Sequence, residues 1–245
     1  MRKLLISDLD GTLLGDEASL HTLLNILRKP DAPVLTFATG RQGFSAIALL
    51  HDWKIDMGSY LIAGVGTELY RRVGRRWIQM ASWPRLQSPW DVQHVRRQLD
   101  AVPGLVPQPL LAVSPYKASY FAPPHAVNLA ETALRAVAID ATIVHSHGNL
   151  LDVLPSGIDK GAATMWLARR LAVTTDAMMT LGDTSNDLAM LRLPCPSVIV
   201  GNAEKGLLAA AGSLPNTFIS GASHAAGIIE GLNHFGWLNG LDWST

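Results

Sequence analysis

Short, nearly uninterrupted apolar runs mark both ends of this chain, with helix-period segments between them. Leu4, Leu5 and Ile6 make the first run, Val34 to Ala38 the second and Tyr60 to Ala63 the third. Runs of that length, closed by polar or glycine-containing turns, read as strands buried on both faces, the pattern of a parallel sheet. Leu20, Leu23, Leu24 and Leu27 recur at helical spacing after Ser19, the expected cap, and Phe44, Ile47 and Leu50 mark a second helix. Such alternation predicts strand–helix–strand crossovers. Arg71, Arg72, Arg75 and Arg76 flank Val73-Gly74 and read as a hairpin with a solvated charged face.

The rhythm changes after Trp83. Prolines 84, 89, 103, 107, 109, 115, 123 and 124 crowd this stretch, and its strand-like pieces, Tyr116 to Phe121, Ala141 to His147 and Leu150 to Leu154, lack crossover spacing. Helical patterns sit among them at Val92, Val95, Leu99 and at Val127, Ala130, Leu134, Val137. From Ser156 the earlier pattern resumes, with a helix through Leu171, a strand from Met178 to Leu181, a helix from Asn186 to Leu191, a strand from Ser197 to Val200 and a closing helix from His224 to Phe235. The predicted fold is therefore α/β: a Rossmann-like core of parallel strands with helices on both faces, residues 1–82 and 156–245, interrupted by a smaller α+β cap at 83–155.

Composition narrows the function without naming it. The 245 residues are 48% hydrophobic and 16% charged, enough to fill a sizeable core, and 20 basic residues balance 20 acidic ones. No global field draws the chain to nucleic acid or to an anionic membrane. A single cysteine, Cys195, excludes an internal disulfide, and only three apolar residues separate Lys3 from Ser7, too few for a secretory signal. The expected location is the cytoplasm.

The chemistry begins where the first run ends. Asp8-Leu9-Asp10-Gly11-Thr12 delivers two carboxylates to one turn, pairing a nucleophile with a proton donor. A solvated Asp-Gly hairpin turn is the alternative. Thr39-Gly40-Arg41 puts a hydroxyl at the end of the second run, Lys160 precedes the helical pattern from Ala162, and Gly182-Asp183-Thr184-Ser185-Asn186-Asp187 follows the run Met178 to Leu181. Helix capping accounts for one of Asp183 and Asp187 but not for both pairs of acids. Asp8-x-Asp10-Gly11 is not a calcium loop, since Leu13 and Ser19 stand where glycine and glutamate are required. His145 and His147 have no third ligand at metal spacing and read as ordinary strand or loop residues.

Acid pair, hydroxyl, lysine and acid pair, in that order, resemble the four motifs of the haloacid-dehalogenase-like phosphatases. The resemblance implies that Asp8 attacks phosphorus and forms an aspartyl-phosphate, while Asp10 protonates the leaving oxygen and later deprotonates water. It further implies Mg2+ held by Asp8, the Asp10 carbonyl and Asp183, with Asp187 as ligand or support, and a phosphate cradle of Thr39, Gly40, Lys160 and Asn186.

Four further segments narrow the resemblance. Gly64 to Tyr70, Ser114 to Tyr120, Leu151 to Pro155 and Ser223 to Glu230 are similar to the sucrose-phosphate phosphatases. This likeness implies a cap that binds the glycosyl ring, with Thr67, Glu68 and Lys117 as candidate contacts, a role in sucrose biosynthesis, and sucrose 6-phosphate as substrate. Leu13 departs from that pattern, which often carries tryptophan there. The mannosylfructose-phosphate phosphatases share much of it, including a segment like Lys160-Gly161-Ala162-Ala163. A reading of another class is a non-catalytic sugar-binding module partnering a sucrose-phosphate synthase; the intact acids, Thr39 and Lys160 argue against it.

Overall fold

The structure, a computed structural model, describes residues 3–86, 88–109 and 114–239. The first core segment runs β1 (Leu4–Ser7), α1 (Glu17–Leu27), β2 (Val34–Ala38), α2 (Gly43–Asp52), β3 (Tyr60–Ala63), β4 (Glu68–Val73) and β5 (Arg76–Gln79). The cap follows as α3 (Val92–Leu99), β6 (Val106–Pro107), β7 (Ala118–Phe121), α4 (Pro124–Ala136), β8 (Ala141–Ser146) and β9 (Leu150–Pro155). The chain returns to the core through α5 (Lys160–Arg170), β10 (Met178–Gly182), α6 (Leu188–Leu191), β11 (Ser197–Ile199), α7 (Lys205–Ala210), β12 (Thr217–Ile219) and α8 (His224–His234).

The core sheet has the order β12-β11-β10-β1-β2-β3-β4-β5. Its strands are parallel from β12 to β3, and β4 and β5 close one edge as the expected antiparallel hairpin. The two faces of β1 feed different cores, which is why its sequence shows no alternation. Leu5 packs with α1, α2 and α8 on one side, while Leu4 and Ile6 pack with α5 and α6 on the other. Strand order departs in opposite directions from β1, so the ends of β1, β2 and β10 meet at a topological switch point, where open α/β sheets bind ligands.

The cap is a two-layer unit with the antiparallel sheet β6-β7-β9-β8 under α3 and α4. Alternation along two strands gives its faces opposite character. Ala118 and Tyr120 of β7 and Leu151 and Val153 of β9 are buried against the helices. Ser119 and Asp152 point the other way and stand opposite each other in register. A polar sheet face is thus turned toward the ends of the core strands.

Several details differ from expectation. Helix α1 is capped by Asp16, whose side chain accepts from the Ser19 N–H, so Ser19 lies within the first turn. Strands β6 and β12 and helix α7 were not anticipated; each is six residues or fewer, too short for a periodic signal. Trp83 and Leu86 pack with the core cluster of Ile6 and Ile62, and the cap cluster starts with Trp90 and Val92. Of the expected domain ranges, residues 1, 2, 87, 110–113 and 240–245 lie outside the described residues. No helix among the described residues is long and apolar enough to cross a membrane.

Candidate active site

Asp8 follows β1, Thr39 follows β2 and Asp183 follows β10, and parallel registry brings these positions together. Ser7 is level with Phe37 on one side and Leu181 on the other, and the Asp8 N–H donates to the Leu181 carbonyl at 3.0 Å. Beyond the strand ends the backbone must reverse sharply. Gly11 does so at φ +82°, and a side chain there would collide with the Asp183 carboxylate. The Gly11 carbonyl is tied down by Asn202 at 2.7 Å and meets His224 Nδ1 at 2.9 Å, which fixes the loop that carries both N-terminal acids.

Lys160 organises the floor. It opens α5 behind the cap Asp159, and Gly161 lets the helix approach the backbone of Ala189 so closely that a Cβ would clash. From this position its ammonium donates to Asp8 Oδ1, Asn186 Oδ1 and Asp187 Oδ1, each at 2.7 Å. All three ammonium hydrogens are used, and the side chain is completely buried. Two carboxylates beside the amine hold its pKa above the usual lysine range despite burial.

The acids are less comfortable. Oxygens of Asp8, Asp183 and Asp187 lie within 4.8 Å of one another, all buried. Burial, offset in part by Lys160, pushes the Asp8 carboxyl well above the ordinary carboxylate range, and burial with the nearby Asp187 pushes Asp183 up to about 7. Three carboxylates meet one ammonium, so the cluster lacks two positive charges when fully ionised. Hard, buried oxygen donors with that deficit suit a divalent ion such as Mg2+.

The placement separates the expected ligands. Asp187 Oδ2 accepts from the N–H groups of Asp183 and Thr184 at 3.0 and 3.1 Å, while Oδ1 holds Lys160. Asp187 therefore shapes the loop and orients the lysine. Asp183 Oδ1 accepts from Thr12 Oγ1 at 2.6 Å. Of the three acids, Asp8 and Asp183 make fewer hydrogen bonds to their own loops and could hold a cation, with Asp187 beside them.

Above the floor lies a cleft of about 440 Å³, walled by Asp8, Asp10, Thr39, Gly40 and Asn186 from the core and by Lys117, Ser119 and Asp152 from the cap. Lys117 Nζ donates to Asp152 Oδ1 at 3.0 Å and across to the Gly40 carbonyl at 3.2 Å, tying the cap to the loop after β2. A second tie joins the His147 N–H to Glu204, which also accepts from the Ser185 N–H.

Thr67 and Glu68 are not brought to the cleft. Thr67 is fully buried with its hydroxyl on the Gly64 carbonyl, and Glu68 Oε2 accepts from Tyr70 and from the Gly43 N–H that begins α2. Residues not singled out beforehand are Thr12, Asn202 and His224, which brace the first loop, and Arg41, which pairs with Asp10. Thr12 and Arg41 carried a sequence signal by lying within the motifs and His224 by lying in the segment Ser223 to Glu230, whereas Asn202 carried none.

A family model described as sucrose-6F-phosphate phosphohydrolase matches residues 1–236. The chain belongs to this family. A mannosylfructose-phosphate phosphatase of Agrobacterium fabrum is 37% identical over 96% of this chain and 97% of that protein. The sucrose-phosphatase of Synechocystis sp. PCC6803, solved with sucrose and phosphate, superposes with a TM-score of 0.88 at 31% identity, covering 96% of this chain and 98% of that one. A sugar phosphatase of haloacid-dehalogenase subclass IIB superposes with a TM-score of 0.70 at 19% identity, over 96% of this chain and 99% of that one, which shows the shared fold. This member of the family is accordingly a haloacid-dehalogenase-fold phosphatase with a cap.

Proposed function

We propose that this phosphatase hydrolyses a disaccharide phosphate, sucrose 6-phosphate first and mannosylfructose phosphate second, with Asp8 as nucleophile and Asp10 as acid and base. The observation that carries the reading is the pairing of floor and roof: a buried carboxylate held by Lys160 at the bottom of a cleft whose upper wall is the polar face of the cap sheet. Phe44, 49% exposed on the core wall, offers a flat apolar face to a sugar ring among polar neighbours.

In this account the Asp8 carboxylate attacks phosphorus in line while Asp10 gives a proton to the departing sugar oxygen. Asp10 then takes a proton from the water that cleaves the aspartyl-phosphate. Thr39, the Gly40 backbone and Asn186 cradle the phosphoryl oxygens, while Lys160 keeps Asp8 pointed at the substrate and reaches a phosphoryl oxygen only by giving up one of its three acceptors. Asp8, Asp183 and the Asp10 carbonyl would hold Mg2+, whose charge would let a dianion approach carboxylates. Lys117 contacts the glycosyl unit from the cap. Thr67 and Glu68 serve the sugar only by shaping the loops beneath it. A cytoplasmic location suits a phosphorylated sugar.

The 37% identity to a mannosylfructose-phosphate phosphatase keeps that substrate in second place, because identity of this size does not choose between glucosyl and mannosyl units. A synthase partner remains part of the reading as a protein that would deliver the phosphorylated disaccharide. The test is phosphate release from sucrose 6-phosphate, mannosylfructose phosphate and glucose 6-phosphate with Mg2+ present. The two disaccharide phosphates are expected to exceed the hexose phosphate in kcat/KM by about a hundredfold, the scale of a few added polar contacts. A preference for the hexose phosphate would contradict the proposal.

A further inference from the structure

Arg41 lies outside the buried cluster yet makes the best-formed ion pair on the cleft wall. Its Nε donates to Asp10 Oδ2 at 2.7 Å and its Nη2 to Asp10 Oδ1 at 2.8 Å. This fork fixes the plane of the carboxylate and occupies both of its oxygens. Those oxygens are the ones Asp10 needs to handle a proton at the leaving group. Side-chain exposures of 42% and 43% mean that the pair adds little to folding, so its geometry calls for another explanation.

The arginine is anchored at its root and partly exposed at its tip. Its N–H donates to Thr39 Oγ1 at 3.1 Å and its carbonyl accepts from Gly64 at 2.7 Å, whereas among the described residues the guanidinium meets Asp10 and makes a long 3.5 Å contact to Ser45 Oγ. Arg41 and Ser45 line the same cleft as the cap residues Ser119 and Asp152. A sugar seated there presents hydroxyl and ring oxygens that can accept the donors now given to Asp10.

We propose that Arg41 is a positioning residue that holds Asp10 clamped until a sugar in the cleft takes over its guanidinium. Resting on the disaccharide-phosphate reading, this makes Arg41 the link between occupancy of the glycosyl pocket and delivery of the acid/base group. Binding energy from the non-reacting part of the substrate loosens the clamp, and a small ester cannot supply it.

The test compares wild type, Arg41→Ala and Arg41→Lys on the best sugar phosphate and on glycerol 3-phosphate, with thermal melting to confirm folding. Both variants are expected to raise kcat on glycerol 3-phosphate about fivefold and to raise KM for the sugar phosphate about tenfold with kcat nearly kept. Lysine retains the charge but cannot make the fork, so it should follow alanine. Adding Asp10→Asn to Arg41→Ala should erase the gain on glycerol 3-phosphate. Equal losses on both substrates, no change on either, or a sugar-only loss without the gain would each overturn the proposal. A wild type that turns over no sugar phosphate would instead remove the disaccharide-phosphate reading, and the clamp's trigger with it.

Discussion

Lys160 shows how much one buried side chain can decide. Three acceptors from two loops converge on it, so truncation leaves Asp8 and Asp187 facing each other without a cation. Lys160→Ala is expected to lower stability by about 3 to 5 kcal/mol, the range for breaking a buried ion pair, as read by chemical denaturation. A loss below ~1 kcal/mol would contradict an ion pair that holds the floor of the cleft together. The proposed site was legible because Asp8, Thr39 and Asp183 each follow an apolar run that becomes a core strand, while Lys160 opens a helix. Thr67 and Glu68 were misplaced for a physical reason: sequence shows that a residue follows a strand, but not which side of the loop its side chain takes. Arg41 was passed over because its partner is thirty-one positions away.

At the scale of elements, the loop after β2 and the first turn of α2 form one wall of the cleft, and Glu68 of β4 secures them through Gly43 and Tyr70. Gly43 has no room for a side chain against the Tyr70 ring. Glu68→Ala should therefore depress turnover of sugar phosphate and p-nitrophenyl phosphate alike, by about threefold to tenfold, since one lost hydrogen-bond anchor is worth about 1 kcal/mol. A loss confined to the sugar phosphate would restore Glu68 as a sugar contact. The unbroken apolar runs of the core strands were readable because strands such as β1 are buried on both faces. Ser19 was mistaken for the cap of α1 since Asp16 and Ser19 both favour helix starts, and only the Asp16 hydrogen bond decides between them.

The whole molecule is a core and a cap meeting at a charged cleft, and its charge balance should be visible in its stability. Folded Asp183 keeps its proton up to about 7, whereas an unfolded aspartate releases it near ~3.9. Between those values the folded state binds more protons, so metal-free protein should lose stability as pH rises through the window, with Asp8 acting in the same sense. Melting in EDTA is expected to be higher at pH 5 than at pH 7.5, with Mg2+ restoring the loss at pH 7.5 and Asp183→Asn flattening the difference. A melting temperature that climbs with pH in EDTA would contradict this. Lys117, which ties cap to core, offers a second test of the assembled cleft. Lys117→Ala should lower kcat/KM for sugar phosphate by about ten- to a hundredfold and spare p-nitrophenyl phosphate, the scale of one or two charge-assisted hydrogen bonds. Equal losses would assign Lys117 to cap closure alone.

The most direct measurement of the central claim is mass spectrometry of protein quenched in acid during turnover of sucrose 6-phosphate with Mg2+. The peptide containing Asp8 should carry one phosphoryl group that vanishes once substrate is exhausted, and Asp8→Asn should carry none and release no phosphate. Phosphate release with no phosphoryl group ever found on that peptide, or undiminished turnover by folded Asp8→Asn, would show that Asp8 is not the nucleophile.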